Sequence, residues 1–332
     1  MPVTGVYFIH SHPNSSTVLP TITERLRSTF PDEDLVPTGR WAMEHKLMRD
    51  TPGLLPPKAN SPQTKPRYMQ FLSLTHYPTR GFIYTSEPEE KVGQLHNVVV
   101  PPSNAVNSRV GAAVNTPQAV TPVSLSGVSA NAQAAVDIPM QMTTLPMSSF
   151  GTMFQHFTYA CQPFWCHRIT FAVPAGIIYD VGDFRIRLGD VRQTFPTARV
   201  RGTVLEIEWR GPSIVDSLSA AGQSQDSAAT GDLNDDDSGI ELDFSVIDEA
   251  DIDAEYTATA GLIHEFWSRI GIDGAREAIL VPGIGTEVKA RLKRYQAGKI
   301  GQGISGGPLL EEDPQAGADV ARQYMEVLRF NR

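Results

Sequence analysis

Two stretches decide the fold of this chain, Asp183-Phe-Arg-Ile-Arg-Leu-Gly-Asp-Val191 and Arg201-Gly-Thr-Val-Leu-Glu-Ile-Glu-Trp209. Apolar side chains alternate with arginines in the first stretch and with glutamates in the second. The apolar members are Phe184, Ile186 and Leu188, followed by Leu205, Ile207 and Trp209. A period of two predicts β-strands with one apolar and one polar face. Such strands are typical of antiparallel sheets and barrels, because a parallel sheet buries both of its faces.

Further strands and helices are predicted on both sides of this pair. The segments predicted as strands are 3–9, 41–47 and 168–178, with a hairpin formed by 67–76 and 81–86. The segments with helical spacing of apolar residues are 16–30, 150–161, 256–270 and 318–330. The last helix is expected to be amphipathic, with a single apolar face. Together these elements predict one α+β domain over residues 1–332.

Three segments interrupt this pattern and are predicted to be disordered insertions, at about 100–148, 213–255 and 281–316. The first is rich in Pro, Ala, Ser and Asn and nearly free of charge, and the third is rich in Gly, Pro and basic residues. Neither shows a sustained hydrophobic period. Segments of this composition bury too little apolar surface to offset their conformational entropy.

The charge of the chain is unevenly distributed. From Gly211 to Ser268 there is no Lys or Arg, although the chain has a net charge of −9 and 28 basic residues. The rest of the chain contains 23 acidic and 28 basic residues. This mildly basic body is not the footprint of a protein that binds specific nucleic-acid sequences. Apolar residues alternate with acidic ones near 240–249, which is typical of either a solvated linker or a segment that folds on a partner.

Several classes of protein are excluded by simple features. No run of about 18 apolar residues exists, so no membrane-spanning helix is expected. The start, Met1-Pro-Val-Thr-Gly-Val6, has neither a basic region nor an apolar stretch, so we expect no secretion. Two cysteines are too few for a disulfide framework and favour a reducing compartment.

Motifs that could carry chemistry are incomplete. Gly301-Gln-Gly-Ile-Ser-Gly306 matches a dinucleotide fingerprint but lacks the strand that should precede it. Cys161 and Cys166 have the wrong spacing for zinc and no second half-site. We therefore predict no cofactor, no metal and no catalytic residues.

Glu206 and Glu208 are the one enzyme-like feature. Two carboxylates on one face of a strand can hold a divalent metal, and Arg185 and Arg187 on the neighbouring strand could clamp a triphosphate. Tunnel-type triphosphatases carry such a pair on each side of the barrel, whereas the first strand here reads Val6-Tyr-Phe-Ile9. The alternatives are a metal-dependent triphosphate hydrolase and a solvent-facing alternation of charges between paired strands.

The order of these segments resembles subunit 20 of the Mediator complex, in a filamentous-fungal form. The resemblance lies in the opening Met-Pro-Val-Thr-Gly-Val-Tyr-Phe, the helix over 21–30 and the two stretches quoted first. Phe266-Trp267 and Arg322-Gln-Tyr-Met-Glu326 resemble the last two helices of the family. The segments 100–148 and 212–255 are longer than in a compact member.

This resemblance implies an antiparallel β-barrel flanked by helices, related to Mediator subunit 18 and to the tunnel triphosphatases. It implies a nuclear, non-catalytic subunit of the head module that pairs with subunit 18 and is joined to subunit 8. The head module contacts RNA polymerase II and supports transcription initiation, so the polymerase is an indirect partner. Partner surfaces are enriched in aromatic residues. Phe164 and Trp165 are therefore predicted to bind a partner, with membership of the core as the alternative.

Overall fold

The computed structural model describes residues 2–11, 17–33, 35–51, 67–86, 141–221, 246–297 and 316–329. The strands are β1 (Thr4–His10), β2 (Pro37–Asp50), β3 (Tyr68–Leu74), β4 (Arg80–Ser86), β5 (Gln141–Pro146), β6 (Trp165–Val181), β7 (Phe184–Phe195), β8 (Arg199–Trp209) and β9 (Arg276–Ala278). The helices are α1 (Leu19–Thr29), α2 (Met147–Gln155), α3 (Ile214–Ala221), α4 (Glu249–Ile270), α5 (Thr286–Gln296) and α6 (Ala318–Val327). A π-helical turn, His156–Ala160, continues α2.

The nine strands form one antiparallel sheet in the order β5-β4-β3-β2-β6-β7-β8-β1-β9. Helix α6 contacts β3, β4 and β5 near one edge of this sheet and β1 and β9 at the other. One helix can reach both edges only if the sheet curls around it. The predicted antiparallel barrel is thereby confirmed, with β5 and β9 as its two edge strands.

Helix α6 is buried almost all round, so the prediction of a single apolar face is wrong. Eight of its ten residues are buried, including the polar residues Asp319 and Gln323. The amide of Gln323 donates to the carbonyls of Thr4 at 2.7 Å and Ile279 at 2.8 Å, and it accepts from the Thr4 hydroxyl at 2.6 Å. Because every polar group of this side chain is bonded, its burial costs little.

Two helical layers cover the outside of the barrel, as the flanking helices were predicted to do. Helices α1, α3, α4 and α5 pack on the outer face of β1, β7 and β8, where Leu205 and Ile207 lie. Helix α2 and its π-helical turn pack on the outer face of β2, β3 and β4 around Phe71 and Phe150. In the described ranges, none of the helices combines the length and apolar character needed to cross a bilayer.

The predicted insertions are partly ordered. Strand β5 and the start of α2 fall within 100–148, α3 and the start of α4 within 213–255, and α5 within 281–316. Helix α4 begins earlier than predicted because Asp248 and Asp251 form a reciprocal capping box. Contacts divide the chain into residues 1–88 with 140–332, which contain the barrel, and 89–139. The second unit and the remaining parts of the insertions lie outside the described residues, so disorder there stays a prediction.

Candidate functional site: a buried charge cluster and an exposed aromatic surface

Glu206 and Glu208 lie inside the barrel. They leave β8 on the same face as Val204, which belongs to the core around α6, and only 1% and 8% of their surfaces are exposed. Strand β7 places Arg187 opposite Glu206 and Arg185 opposite Glu208. The alternative in which these charges face solvent is therefore wrong, because the sheet curls with its polar strip on the inner side.

Arg187 bridges both carboxylates. Its Nη1 atom bonds to Oε1 of Glu206 and lies 2.6 Å from Oε2 of Glu208. The other oxygen of Glu206 accepts a hydrogen bond from the hydroxyl of Tyr324 on α6 at 2.7 Å. Both oxygens of Glu206 are thus engaged by side chains of the protein. We call Arg187, Glu206, Glu208 and Tyr324 the charge cluster.

The two glutamates titrate differently although they are two residues apart. Burial acts to raise the pKa of Glu206, but the positive charge of Arg187 outweighs it and the pKa lies below its usual range. Burial also raises the pKa of Glu208, and there Arg187 only partly opposes it. Glu206 is therefore the carboxylate that balances the buried guanidinium.

His76 borders the cluster as a neutral group. Its Nε2 atom lies 3.7 Å from Glu206. Burial lowers the pKa of His76 to about 4, against the opposing effect of Glu206. At neutral pH the imidazole therefore adds no charge to this part of the barrel.

The chemistry of this arrangement is that of an internal crosslink. A divalent cation would need the carboxylate oxygens that Arg187 and Tyr324 already occupy. The described part of the chain contains no group of three or more His, Cys, Asp and Glu side chains placed to hold a metal ion. The charge cluster connects β7, β8 and α6. The pair Glu206 and Glu208, which suggested a hydrolase, therefore has a structural role.

A second buried network was missed by the sequence analysis. Asp319 accepts from the Tyr256 hydroxyl at 2.7 Å, from Arg322 at 2.9 Å and from the backbone nitrogen of Gly285 at 3.1 Å. These bonds join α6 to α4 and to the start of α5. The sequence gives no local signal for this network, because Tyr256 and Asp319 are 63 positions apart.

Phe164 and Trp165 have different environments. Phe164 is 51% exposed, whereas Trp165 is partly buried and packs 6.0 Å from the ring of Phe157 in the cluster under α2. Nearby, Tyr159 is 75% exposed, and Phe195 is 43% exposed while stacking on His167 at 4.3 Å. We call Tyr159, Phe164, Trp165, His167 and Phe195 the aromatic surface. The role of Phe164 and Trp165 in partner binding stays a prediction.

The fold and these clusters define a class of protein: an antiparallel barrel curled around one of its own helices, in which Arg187 pairs with Glu206 and Glu208 inside the barrel. Residues 1–329 match the family model described as Med20, the TATA-binding related factor (TRF) of subunit 20 of Mediator complex. Because the match covers almost the whole chain, the chain belongs to the Mediator subunit 20 family. It therefore has the role of a Mediator subunit and acts in transcription regulation.

Other comparisons add little to this assignment. No curated protein matches the chain. Among solved structures, the PH1819 protein from Pyrococcus horikoshii OT3 is similar at 9% sequence identity, over 82% of this chain and 93% of that chain, with a TM-score of 0.30. A TM-score this low does not establish a common fold. The predicted relation to Mediator subunit 18 and to the tunnel triphosphatases stays a prediction.

Proposed function

We propose that this chain is a non-catalytic, nuclear subunit of the Mediator head module. In this proposal it pairs with subunit 18, is joined to subunit 8 and supports initiation by RNA polymerase II. The family match supports the assignment to Mediator. The engagement of Glu206 and Glu208 by Arg187 supports a barrel without catalysis, since both carboxylates serve the fold.

The aromatic surface is the part of the molecule best suited to pair with subunit 18. Three large aromatic side chains, Tyr159, Phe164 and Phe195, are exposed on elements that lie next to the start of β6. Exposed apolar patches of this kind mark interaction sites, and aromatic anchors contribute most of the binding energy at protein interfaces. Burial of these rings against subunit 18 would remove them from water.

Pairing is tested by isothermal titration calorimetry, in which subunit 18 is titrated into the separately purified full-length chain. The double variant Tyr159→Ala with Phe164→Ala should bind subunit 18 at least tenfold more weakly, a loss of about 1.4 kcal/mol or more. Leu280→Ala is the matched control, because Leu280 is also 51% exposed but lies outside the aromatic surface.

Each result of this experiment has a definite meaning. Wild-type affinity in the double variant would show that pairing uses another surface. Absence of a complex between the wild-type chain and subunit 18 would reject the pairing itself. Manganese- or magnesium-dependent release of phosphate from a nucleoside triphosphate, lost in Glu206→Ala, would reject the non-catalytic assignment.

A further inference from the structure

A groove of about 250 Å³ lies where the turn between β6 and β7 meets α1 and α4. We call it the α4 groove. Its apolar floor is formed by Phe30, Phe184, Trp209, Leu262 and Phe266. Trp165 and Val181 stand at opposite ends of β6, about 50 Å apart along an extended strand. The α4 groove is therefore a different site from the aromatic surface.

The aromatic floor of the α4 groove is preformed in the free chain. The ring of Phe266 stacks on Phe30 at 4.9 Å and lies 4.5 Å from Phe184, which in turn lies 5.1 Å from Trp209. Leu262 is the most exposed apolar side chain of this floor, at 42%. Rings held in mutual contact lose little further freedom on binding, which favours affinity.

The rim of the α4 groove carries an excess of negative charge. Glu33, Asp183, Glu265 and Arg269 line it. Arg269 bonds to Glu265 at 2.6 Å, so these two charges balance each other. Glu33 and Asp183 are exposed, and neither has an ion-pair partner in the part of the chain that the structure describes. Two unbalanced carboxylates thus flank an apolar floor.

We propose that the α4 groove binds an amphipathic segment of a partner protein, with apolar side chains on the aromatic floor and Lys or Arg beside Glu33 and Asp183. Charge complementarity selects this occupant. A second copy of this chain could occupy the groove only with basic side chains, because the rim is acidic. In a copy of this chain, two of the four basic residues of α5 are already engaged, since Lys289 and Lys293 pair with Asp253 and Glu249 at 2.6 and 2.7 Å.

A photo-crosslinking residue placed at Leu262 tests this inference in the purified, assembled Mediator complex. The full-length chain carries p-benzoylphenylalanine at position 262, and the crosslinked peptide is sequenced by mass spectrometry. We expect one peptide with at least two large apolar residues and at least two Lys or Arg close to them. The same crosslinker at Leu280, outside the groove, is the positional control.

Charge variants then test the rim. Glu33→Lys with Asp183→Lys should lower the yield of this crosslink at least fivefold, and Glu33→Gln with Asp183→Asn should lower it less. Glu24→Lys with Glu44→Lys changes two exposed glutamates outside the groove and should leave the yield unchanged. Thermal unfolding of each variant shows whether a lower yield reflects the rim or the fold.

Three outcomes would overturn the inference: a crosslink to a second copy of this chain, a crosslink to a peptide without basic residues, or no crosslink above the Leu280 control. Equal yields from the two Lys pairs would overturn it as well. The inference does not depend on the pairing with subunit 18. Tyr159 and Phe164 variants report on that pairing, whereas Leu262 crosslinks report on the α4 groove.

Discussion

Charged residues are usually exposed and large aromatic residues are usually buried. The inside of the barrel departs from the first rule, and the aromatic surface departs from the second. Inside, Arg187 and Glu206 are charged and buried, yet each is bonded to the other and to neighbours on β8 or α6. Outside, Tyr159 and Phe164 are large, aromatic and exposed. A buried charge that is paired with an opposite charge of the same chain serves the fold, whereas exposed aromatic rings are available to a partner. Variants in the two regions should therefore affect different measurements.

The largest expected effect is that of Arg187→Ala on stability. Removal of the guanidinium leaves Glu206 buried without a counter-charge, which should cost about 3–5 kcal/mol of unfolding free energy in urea denaturation. Arg185→Ala is the matched control, because Arg185 pairs with the partly exposed Asp180 at 2.8 Å and should cost about 1 kcal/mol or less. Equal losses in the two variants would contradict a structural role for the charge cluster.

The next effect is a loss of stability in acid caused by buried histidines. His45 is fully buried and bonded to Gln70 at 2.8 Å. Burial lowers its pKa from 6.5 to about 4, although the bond to Gln70 opposes the shift. The unfolded chain therefore binds a proton that the folded chain does not, so stability is full above pH 6.5 and falls toward pH 4. For His45 the loss is about 3 kcal/mol.

His76 adds to this loss of stability in acid, because its pKa is also lowered to about 4. Urea denaturation at pH 7 and pH 4.5 should show a clearly smaller pH-dependent loss in His45→Gln than in the wild-type chain. His264→Gln is the control, because 61% of the His264 side chain is exposed. If His45→Gln lost as much stability between pH 7 and pH 4.5 as the wild-type chain, this histidine would not be kept neutral by burial.

Tyr324→Phe should have an intermediate effect. The substitution keeps the ring between the strands and removes only the hydroxyl that donates to Glu206 at 2.7 Å. Loss of a hydrogen bond to a buried charged group costs about 1.5–3 kcal/mol. Tyr159→Phe, on the exposed aromatic surface, should leave the denaturation midpoint unchanged, and a shift of similar size there would remove the contrast between the two regions.

The smallest effect on stability is expected for Phe164→Ala. Its comparison with Trp165→Ala separates an exposed from a partly buried residue of the aromatic surface. Phe164→Ala should change stability by less than about 0.5 kcal/mol, because exposed positions contribute little to folding. Trp165→Ala should cost about 1–3 kcal/mol, because it opens a gap beside Phe157. Thermal unfolding of the two variants separates them. A larger loss at Phe164 than at Trp165 would place Phe164 in the core instead.

Local patterns predicted most of the strands and the two faces of β7 and β8 correctly. The alternation in β7 and β8 assigned Leu205 and Ile207 to an apolar face, and the turn at 77–80 marked the hairpin of β3 and β4. These predictions succeed because side chains alternate across a strand wherever it lies in the fold. The pairing of Arg187 with Glu206 could also be anticipated, since the two stretches were predicted to be neighbouring strands.

The curl of the sheet was not available from local patterns. It turns the polar strip of β7 and β8 inward and buries α6 almost all round. The two glutamates that suggested a metal site therefore form an ion pair with Arg187, and the helix that was predicted to be amphipathic lies inside the barrel. Tyr324 meets Glu206 across 118 positions of the chain.

By itself, the sequence determined the class of fold, the places of most strands and membership of the Mediator subunit 20 family, because these depend on short-range periodicity and on motif order. Only the tertiary structure decided which polar side chains are buried and which aromatic ones are exposed. Both depend on contacts between distant segments, which form only once the sheet has curled around α6.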